Sequence, residues 1–451
     1  MSNPSSIEEK ARGSEERVEQ YEDNEERDEV FKKNTDGVDF RTVGWPRASL
    51  IFLKVLFATG VLTIPSAMAT LGAVGGALSL IGWGALNTYT AVIQGNFRNN
   101  HRQCHTIVDM AQLVGGPILR EITSFIYLIA YILCAGAGIL GVSIALNALS
   151  EHAICSVWFS LVSTVFIVAA ASIRKFHDIA WLTWAGFVSV FVAVFIIVVA
   201  VTTLDRPAAA PQTGDFDLGF SAILFPDFAA GMVATCTIFI STGGTSAFIP
   251  VIAEMRQPKD YKKALYSAMG FVTTSYLCFS LVVYRWCGKW VASPSLGSGG
   301  PVVKKVSYGI ALFGLVVSGC LYLHVAAKYL FVRILRNSRH LQSNTAVHWV
   351  TWLGCTISLG AISFVLACAI PIFTYFISLC GSLCFGPLAI ILPALFWMYD
   401  HHHYRKGTTG QIIIYAAHAA LIALGTFICV GGTYGVVQQI VDAFRTGLIE
   451  Y

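Results

Sequence analysis

Phe57-Ala58-Thr59-Gly60-Val61-Leu62-Thr63-Ile64-Pro65 interrupts the first long apolar run of the chain, which extends from about residue 49 to residue 71. The run is long enough to cross a bilayer core of ~30 Å once as a helix. Glycine weakens a helix interior, and proline lacks a backbone N–H. Unpaired backbone groups are costly in hydrocarbon, so non-helical backbone persists there only where it lines a cavity or is buried in protein. The stretch therefore predicts a broken membrane helix beside a binding site.

A second break lies in the sixth apolar run, where Ser241-Thr242-Gly243-Gly244 is followed by Pro250. Two interrupted spans at corresponding places in two halves of a chain are typical of a transporter's substrate site. The alternative is that both glycine clusters only permit close helix packing or kinks.

The composition excludes several classes of protein. Of the 451 residues, 55% are hydrophobic and 12% are charged, and half of the 26 acidic residues precede Phe40. No basic stripe or reader motif indicates a nucleic-acid partner. The sequence contains no phosphate-cradling loop, which argues against an ATP-driven pump. It also contains no hydrolase motif that would indicate an enzyme. We expect the lipid bilayer as surroundings and no cofactor.

Eleven apolar spans of helical length follow a charged N-terminal tail. Residues 1–45 are predicted to be an acidic cytoplasmic tail, largely disordered, and residues 106–114 a short interfacial segment. An external loop is predicted over 203–228, and residues 399–451 are predicted to hold span eleven and an external C-terminus. The spans, numbered one to eleven, cover residues 48–71, 73–97, 121–149, 154–173, 178–202, 229–255, 262–288, 305–335, 347–369, 371–398 and 411–441.

Positive residues in short loops favour the cytoplasmic side. They cluster after every even-numbered span, whereas the connections after spans one, three and nine hold no Lys or Arg. The connection after span seven is the exception, with Arg285, Lys289, Lys304 and Lys305. The N-terminus is therefore predicted to be cytoplasmic. Residues 46–202 and 229–398 then form two five-span halves of opposite orientation, each headed by a broken span.

The two breaks place partial charges at mid-membrane. Free N–H groups on Gly60, Val61 and Leu62 would attract a carboxylate, as helix N-termini do. Free carbonyls near Phe57 and near Ile240 and Ser241 would accept from an ammonium. Opposite poles a few ångströms apart fit a zwitterionic α-amino acid.

Few charged side chains lie inside the spans, and such residues are costly there. Lys54 either extends to the cytoplasmic interface or places its ammonium between spans one and eight near Ser318. Glu254 is either a proton-sensitive gate or a surface partner of Arg256, Lys262 or Lys263. His324 is either a titrating group or a hydrogen-bonded packing residue. Cys380 and Cys384, one turn apart, are interpreted as packing. The aromatic candidates for the pocket wall are Tyr127, Tyr131, Phe239, Phe248, Phe373 and Phe376.

Several motifs together resemble the amino acid/auxin permease family, especially its fungal neutral amino acid permeases. The resemblance covers about residues 40–440. It rests on Phe40-Arg41-Thr42-Val43-Gly44-Trp45, Gly60-Val61-Leu62-Thr63-Ile64-Pro65, Glu254-Met255-Arg256-x-Pro258-Lys259-Asp260, His324-x-x-x-Lys328-Tyr329-x-x-x-Arg333 and Gly386-Pro387-Leu388.

This resemblance implies an all-α membrane protein with eleven transmembrane helices in a leucine-transporter-like 5+5 inverted repeat plus one helix. It also implies secondary active amino acid transport. By position, the substrate backbone would be held by Thr59, Gly60 and Val61 and by Ser241, Thr242, Gly243 and Gly244, with Tyr131 on the pocket wall. Lys54, Ser318 and Glu254 are the candidates for coupling and gating.

Two positions depart from the family pattern. Many relatives have Gly-x-Gly in span one, where this chain has Ala58. Sodium-coupled relatives carry an uncharged polar residue near Lys54, so a proton is the predicted coupling ion. We expect import of neutral amino acids across the plasma membrane. The alternatives are export from a vacuole by the same machinery, or an amino acid sensor without transport activity.

Overall fold

The computed structural model describes residues 43–57, 59–173, 176–335, 338, 340 and 345–446, with the backbone alone for 176–181. The predicted acidic tail lies outside this range except for its last three residues, and Ala58 lies outside it too. Helices account for nearly all regular structure in the described residues, where the one β-type pairing is an isolated bridge between Val43 and Met255. The α-helices are Trp45–Leu56, Ile64–Asn100, Ile107–Ser150, Ser156–Ala171, Phe176–Thr202, Phe228–Gly243, Phe248–Ala253, Tyr261–Cys287, Pro301–Leu335, Ala346–Ala369, Phe373–Cys380, Leu392–Asp400 and Thr409–Arg445.

These helices account for all eleven predicted spans and confirm the all-α membrane class. Within the described residues, nine helical stretches are long and apolar enough to cross a membrane. Span four, Ser156–Ala171, is shorter, and span one is divided at its break. Span ten is continuous but passes through two π-helical turns, Gly381–Phe385 and Pro387–Ile391. Turns of this kind are rare in proteins, and those that occur are often found at functional sites.

Two long helices contain bends that separate predicted elements. Gly72 has φ +81°, which divides the end of span one from span two inside helix Ile64–Asn100. Gly116 has φ +67°, which divides the predicted short segment from span three inside helix Ile107–Ser150. Glycine adopts this left-handed region without the steric cost of a Cβ.

Contacts between loops show that successive connections alternate between two ends of the bundle. On the end that holds Val43, the connection after span two meets those after spans six, eight and ten. These contacts are Asn99–Pro258, Glu121–Arg333 and His101–Asp400. On the opposite end, the connection after span seven meets those after spans three, five and nine. These contacts are Lys305–Glu151, Lys289–Asp217 and Ser293–Thr374.

The segment between spans five and six packs against the bend at Gly72. The backbone N–H groups of Ala73 and Val74 donate to the carbonyls of Ser221 and Ala222 over 3.1 and 2.9 Å. These donors lie at the first turn of span two, where a helix leaves N–H groups unpaired. Carbonyl groups of the predicted external loop thus accept hydrogen bonds from the N–H groups that the bend leaves without a partner in the helix. Nearby, the Gly219 N–H and the Lys289 ammonium hold the pKa of Asp217 below its usual range.

Span eight packs at the centre of the bundle against spans three and five. Gly138 and Gly319 let the backbones of spans three and eight touch, because a Cβ on Gly138 would lie 2.6 Å from the Gly319 Cα. Small residues at membrane helix crossings permit this close contact. The site described below depends on the resulting position of these two helices.

We predict that Gly138→Ala destabilises the protein, whereas the matched Gly82→Ala does not. The added methyl group on Gly138 meets backbone that cannot rotate away, and overpacking of this kind costs about 1–3 kcal/mol. A Cβ on Gly82 meets nothing within 4 Å. Thermal unfolding of the purified protein in detergent should show a lower midpoint for Gly138→Ala alone. Equal midpoints for the two variants would contradict this packing.

Candidate functional site

The breaks of spans one and six lie in direct contact. Helix Trp45–Leu56 is followed by Phe57 as its C-cap residue, a 3-10 turn covers Gly60–Leu62, and helical structure resumes at Ile64. A Cβ on Gly60 would lie 3.0 Å from both the Cα and the Cβ of Ser241. A side chain at position 60 would therefore force the two spans apart, and this contact brings the two predicted halves of the site together.

Span six differs from the prediction in where its helix ends. We predicted a first half that ends near Ile240 and Ser241, but helix Phe228–Gly243 continues two residues farther and passes into a 3-10 turn, Gly244–Ala247. Side chains of spans six and two form hydrogen bonds to carbonyls near this end of the helix. Ser241 Oγ donates to the Ile238 carbonyl over 2.6 Å, and Asn87 Nδ2 donates to the Phe239 carbonyl over 3.2 Å. The carbonyls of Ile238 and Phe239, which precede the predicted end of the half-helix, are thus bonded within the protein.

The predicted carboxylate-binding pole also has fewer free N–H groups than expected. The Leu62 N–H donates to the Thr59 carbonyl over 3.2 Å, so the 3-10 turn itself occupies this donor. The N–H groups of Gly60 and Val61 remain the candidates at the start of the outer half of span one. Two adjacent N–H groups are still sufficient to contact one carboxylate.

Two tyrosines that the sequence analysis did not identify bond the last carbonyls of helix Trp45–Leu56. Tyr322 Oη donates to the Val55 carbonyl and Tyr276 Oη donates to the Leu56 carbonyl, each over 2.7 Å. A carbonyl oxygen has two lone pairs, so each keeps one acceptor position for a ligand ammonium. No signal in the local sequence links either tyrosine to the break.

A small cavity opens where the two breaks meet. The cavity volume that the centres of water molecules can occupy is about 30 Å³. One ordered water needs about 10–15 Å³ by this measure, so an amino acid would require the helices to move apart. The described lining residues carry no charge: Val55, Leu56, Thr59, Gly60, Tyr131, Cys134, Ala137, Ile240, Ser241, Gly244, Tyr322, Ile377, Cys380 and Phe385.

Five predicted substrate-binding residues line this cavity, namely Thr59, Gly60, Ser241, Gly244 and Tyr131. Three others do not: Val61, Thr242 and Gly243. Thr242 instead accepts a hydrogen bond from Asn87 Nδ2 over 2.8 Å.

Of the six aromatic candidates, Tyr131 alone is on the wall, where its hydroxyl lies 3.1 Å from Ser246 Oγ. The other five pack elsewhere: Tyr127 against Tyr329, Phe239 against Trp83, Phe248 against Phe52, Phe373 near Gly141 and Phe376 near Gly136.

Lys54 does not extend to the cytoplasmic interface. It lies between spans one and eight, which is the second of its two predicted positions. Its side chain is 1% exposed, and its ammonium donates to Ser318 Oγ over 2.7 Å and to the Gly314 carbonyl over 3.3 Å. Gly186 of span five leaves room for the side chain, since a Cβ there would lie 3.3 Å from Lys54 Cε. The lysine thus joins spans one, five and eight, one turn before the break.

Glu254 and His324 are both removed from solvent, Glu254 partly and His324 fully. Glu254 is partly buried, and its carbonyl accepts from the Val43 N–H over 3.1 Å. The described ion pairs do not join Glu254 to Arg256, Lys262 or Lys263, and Lys263 pairs with Asp260 over 2.8 Å. His324 is fully buried, with Nδ1 3.2 Å from the Ala171 carbonyl and its ring against Trp352. This environment fits the packing interpretation of His324.

Comparisons with known proteins identify the family of this chain. A family model described as "Transmembrane amino acid transporter protein" matches residues 41–438. A "Transmembrane transporter" of Gibberella moniliformis is 51% identical over 93% of this chain and 89% of that protein. The "N amino acid transport system protein" of Neurospora crassa is 28% identical over 91% of this chain and 88% of that protein.

Solved structures support the fold. MhsT, whose structure is described as in complex with L-phenylalanine, aligns with a TM-score of 0.54 at 12% identity. The alignment covers 88% of this chain and 97% of that one. MhsT has the leucine-transporter-like fold, so the predicted 5+5 inverted repeat plus one helix is confirmed as the fold of this chain.

Proposed function

The chain belongs to the transmembrane amino acid transporter family, and from this premise we propose that it imports neutral amino acids by proton-coupled secondary transport. It is a multi-pass membrane transporter and not an enzyme. The observation that carries the proposal is the contact between Gly60 and Ser241 at the wall of the cavity. That contact places the break of span one against the last turn of helix Phe228–Gly243, immediately before the 3-10 turn of span six. Interrupted spans that meet in this way are expected at a substrate site.

The backbone poles suit an α-amino acid in one orientation. The substrate carboxylate would contact the N–H groups of Gly60 and Val61, where the outer half of span one begins. The ammonium would contact the carbonyls of Val55 and Leu56, where the inner half ends. Thr59 and Ser241 supply hydroxyls between these poles. The site would bind both charged groups of the substrate without a charged side chain.

The walls favour a substrate whose side chain is neutral. The lining residues beyond the breaks are mostly aliphatic, aromatic or thiol groups, including Ile240, Ile377 and Phe385. Burial of an ionised side chain among such groups without a partner is costly. The ligand in the MhsT structure, L-phenylalanine, also has a neutral side chain.

Lys54 is the basis for proposing a proton as the coupling ion. Its ammonium is held by Ser318 and by the Gly314 carbonyl, two oxygen ligands of the kind that a sodium ion would use. A second unit charge about 4 Å away would be repelled by about 4 kcal/mol at an effective dielectric constant of 20. This repulsion corresponds to about a thousandfold loss of affinity. Sodium binding beside Lys54 is therefore disfavoured.

For the location, we propose the plasma membrane, with the N-terminus in the cytoplasm. The positive residues after the even-numbered spans support this orientation. A fluorescent fusion distinguishes the plasma membrane from a vacuole. A chain that binds amino acids without transporting them would instead be a sensor.

We predict that Gly60→Ala abolishes uptake of labelled neutral amino acids, whereas Gly243→Ala retains it. A methyl group on Gly60 contacts Ser241 at 3.0 Å, but the nearest atom to a Cβ on Gly243 is Asn87 Nδ2 at 3.8 Å. Uptake would be measured in cells after surface amounts of both variants are matched. Undiminished uptake by Gly60→Ala would contradict a substrate site at this contact.

We also predict that uptake rises as the external pH falls and does not change when choline replaces sodium. Lys54→Met should remove the response to pH, because the buried ammonium beside Ser318 is lost. Lys262→Met is the matched control, since Lys262 is exposed at the start of span seven. Sodium-dependent uptake without a response to pH would overturn the proposed coupling.

A further inference from the structure

Two thiols from distant parts of the chain meet on the wall of the central cavity. Cys134 belongs to span three and Cys380 to span ten, and their Sγ atoms are 3.7 Å apart. Both residues line the cavity beside Thr59 and Gly60. The sequence indicated nothing beyond packing for Cys380, because its partner lies 246 residues away.

The surrounding helices fix this spacing. A Cβ on Gly136 would lie 2.7 Å from the ring of Phe376, so spans three and ten are in close contact one turn from the thiols. Cys380 Sγ also lies 3.6 Å from the carbonyl of Ala130, one turn before Cys134. The two sulfurs are thus held side by side.

We propose that Cys134 and Cys380 form a binding site for trivalent arsenicals. Two bonds of ~2.3 Å, the length of a zinc–thiolate bond, that meet at the angle of about 100° of a pyramidal trivalent centre hold the two sulfurs about 3.5 Å apart. The observed spacing of 3.7 Å is close to this value. Soft thiolate ligands select soft centres over hard cations such as magnesium or calcium.

An arsenical fits this site better than a structural metal ion does. Zinc in a structural site takes four protein ligands, and the described residues include no group of three or more His, Cys, Asp or Glu side chains that could hold a metal. An organoarsenic oxide needs only two thiols. Its As–O bond breaks, two As–S bonds form, and the oxygen leaves as water with both thiol protons. No electron is transferred.

Occupancy of this site would block the cavity. Both cysteines line the cavity together with Thr59 and Gly60, so an arsenic atom bonded to the two sulfurs would take up space that the substrate requires. The site does not depend on the proposed transport function, because its ligand is recognised by the thiols alone.

Phenylarsine oxide tests the proposal on the full-length protein in detergent. After incubation and a wash with excess monothiol, which removes singly attached arsenic, wild-type protein should retain one phenylarsenic group, and a dithiol should release it. Cys134→Ser and Cys380→Ser should each weaken retention by about a hundredfold, since two-point attachment strengthens binding by ~10²–10⁴. Cys384→Ser is the matched control, because Cys384 is buried one turn farther along span ten and does not line the cavity.

Proteolysis and mass spectrometry of the wild-type adduct locate the arsenic without any variant. The proposal requires one arsenic atom that bridges the peptides of Cys134 and Cys380. A bridge between other cysteines, or retention that both serine variants keep, would overturn it. Protection by an excess of a neutral amino acid tests whether the two sites overlap. A bridged adduct without such protection would leave the dithiol site in place and count against the proposed substrate site.

Discussion

The structure depends on one requirement, that interrupted backbone inside a membrane must still find hydrogen-bond partners. At the break of span one, the Gly60 carbonyl accepts from both the N–H and the hydroxyl of Thr63, over 3.1 and 2.9 Å. Tyr276 and Tyr322 reach the carbonyls at the end of the inner half. Spans seven and eight therefore help to stabilise the interrupted backbone of span one. The contact of Gly60 with Ser241 then becomes possible, because the broken backbone is stabilised by the rest of the bundle.

In our proposal, Lys54 extends this arrangement from substrate binding to ion coupling. Its ammonium joins span one to span eight, while span eight is itself fixed against span three at Gly138 and Gly319. A change in the charge or position of Lys54 would therefore act on the same helix that carries the proposed substrate poles. In our proposal, the coupling ion and the substrate act on span one from positions about one turn apart.

The sequence allowed the spans, their alternation between two ends and the position of both breaks to be predicted, because these features follow from local hydropathy and loop charge. The end of span six was predicted two residues too early, because the helix continues to Gly243. There the Asn87 amide of span two donates to the Phe239 carbonyl and to Thr242 Oγ1. Most of the cavity wall was also missed. Cys134, Tyr322 and Ile377 come from spans three, eight and ten, and only the packing of these helices brings them to the breaks.

A structure of the protein determined with a bound neutral amino acid tests the central claim most directly. Our account predicts that the substrate lies between spans one and six, with its carboxylate within hydrogen-bond distance of the Gly60 and Val61 N–H groups. Its ammonium should face the carbonyls of Val55 and Leu56. A substrate bound elsewhere, or held at this position by a charged side chain instead of by the backbone of span one, would contradict the account.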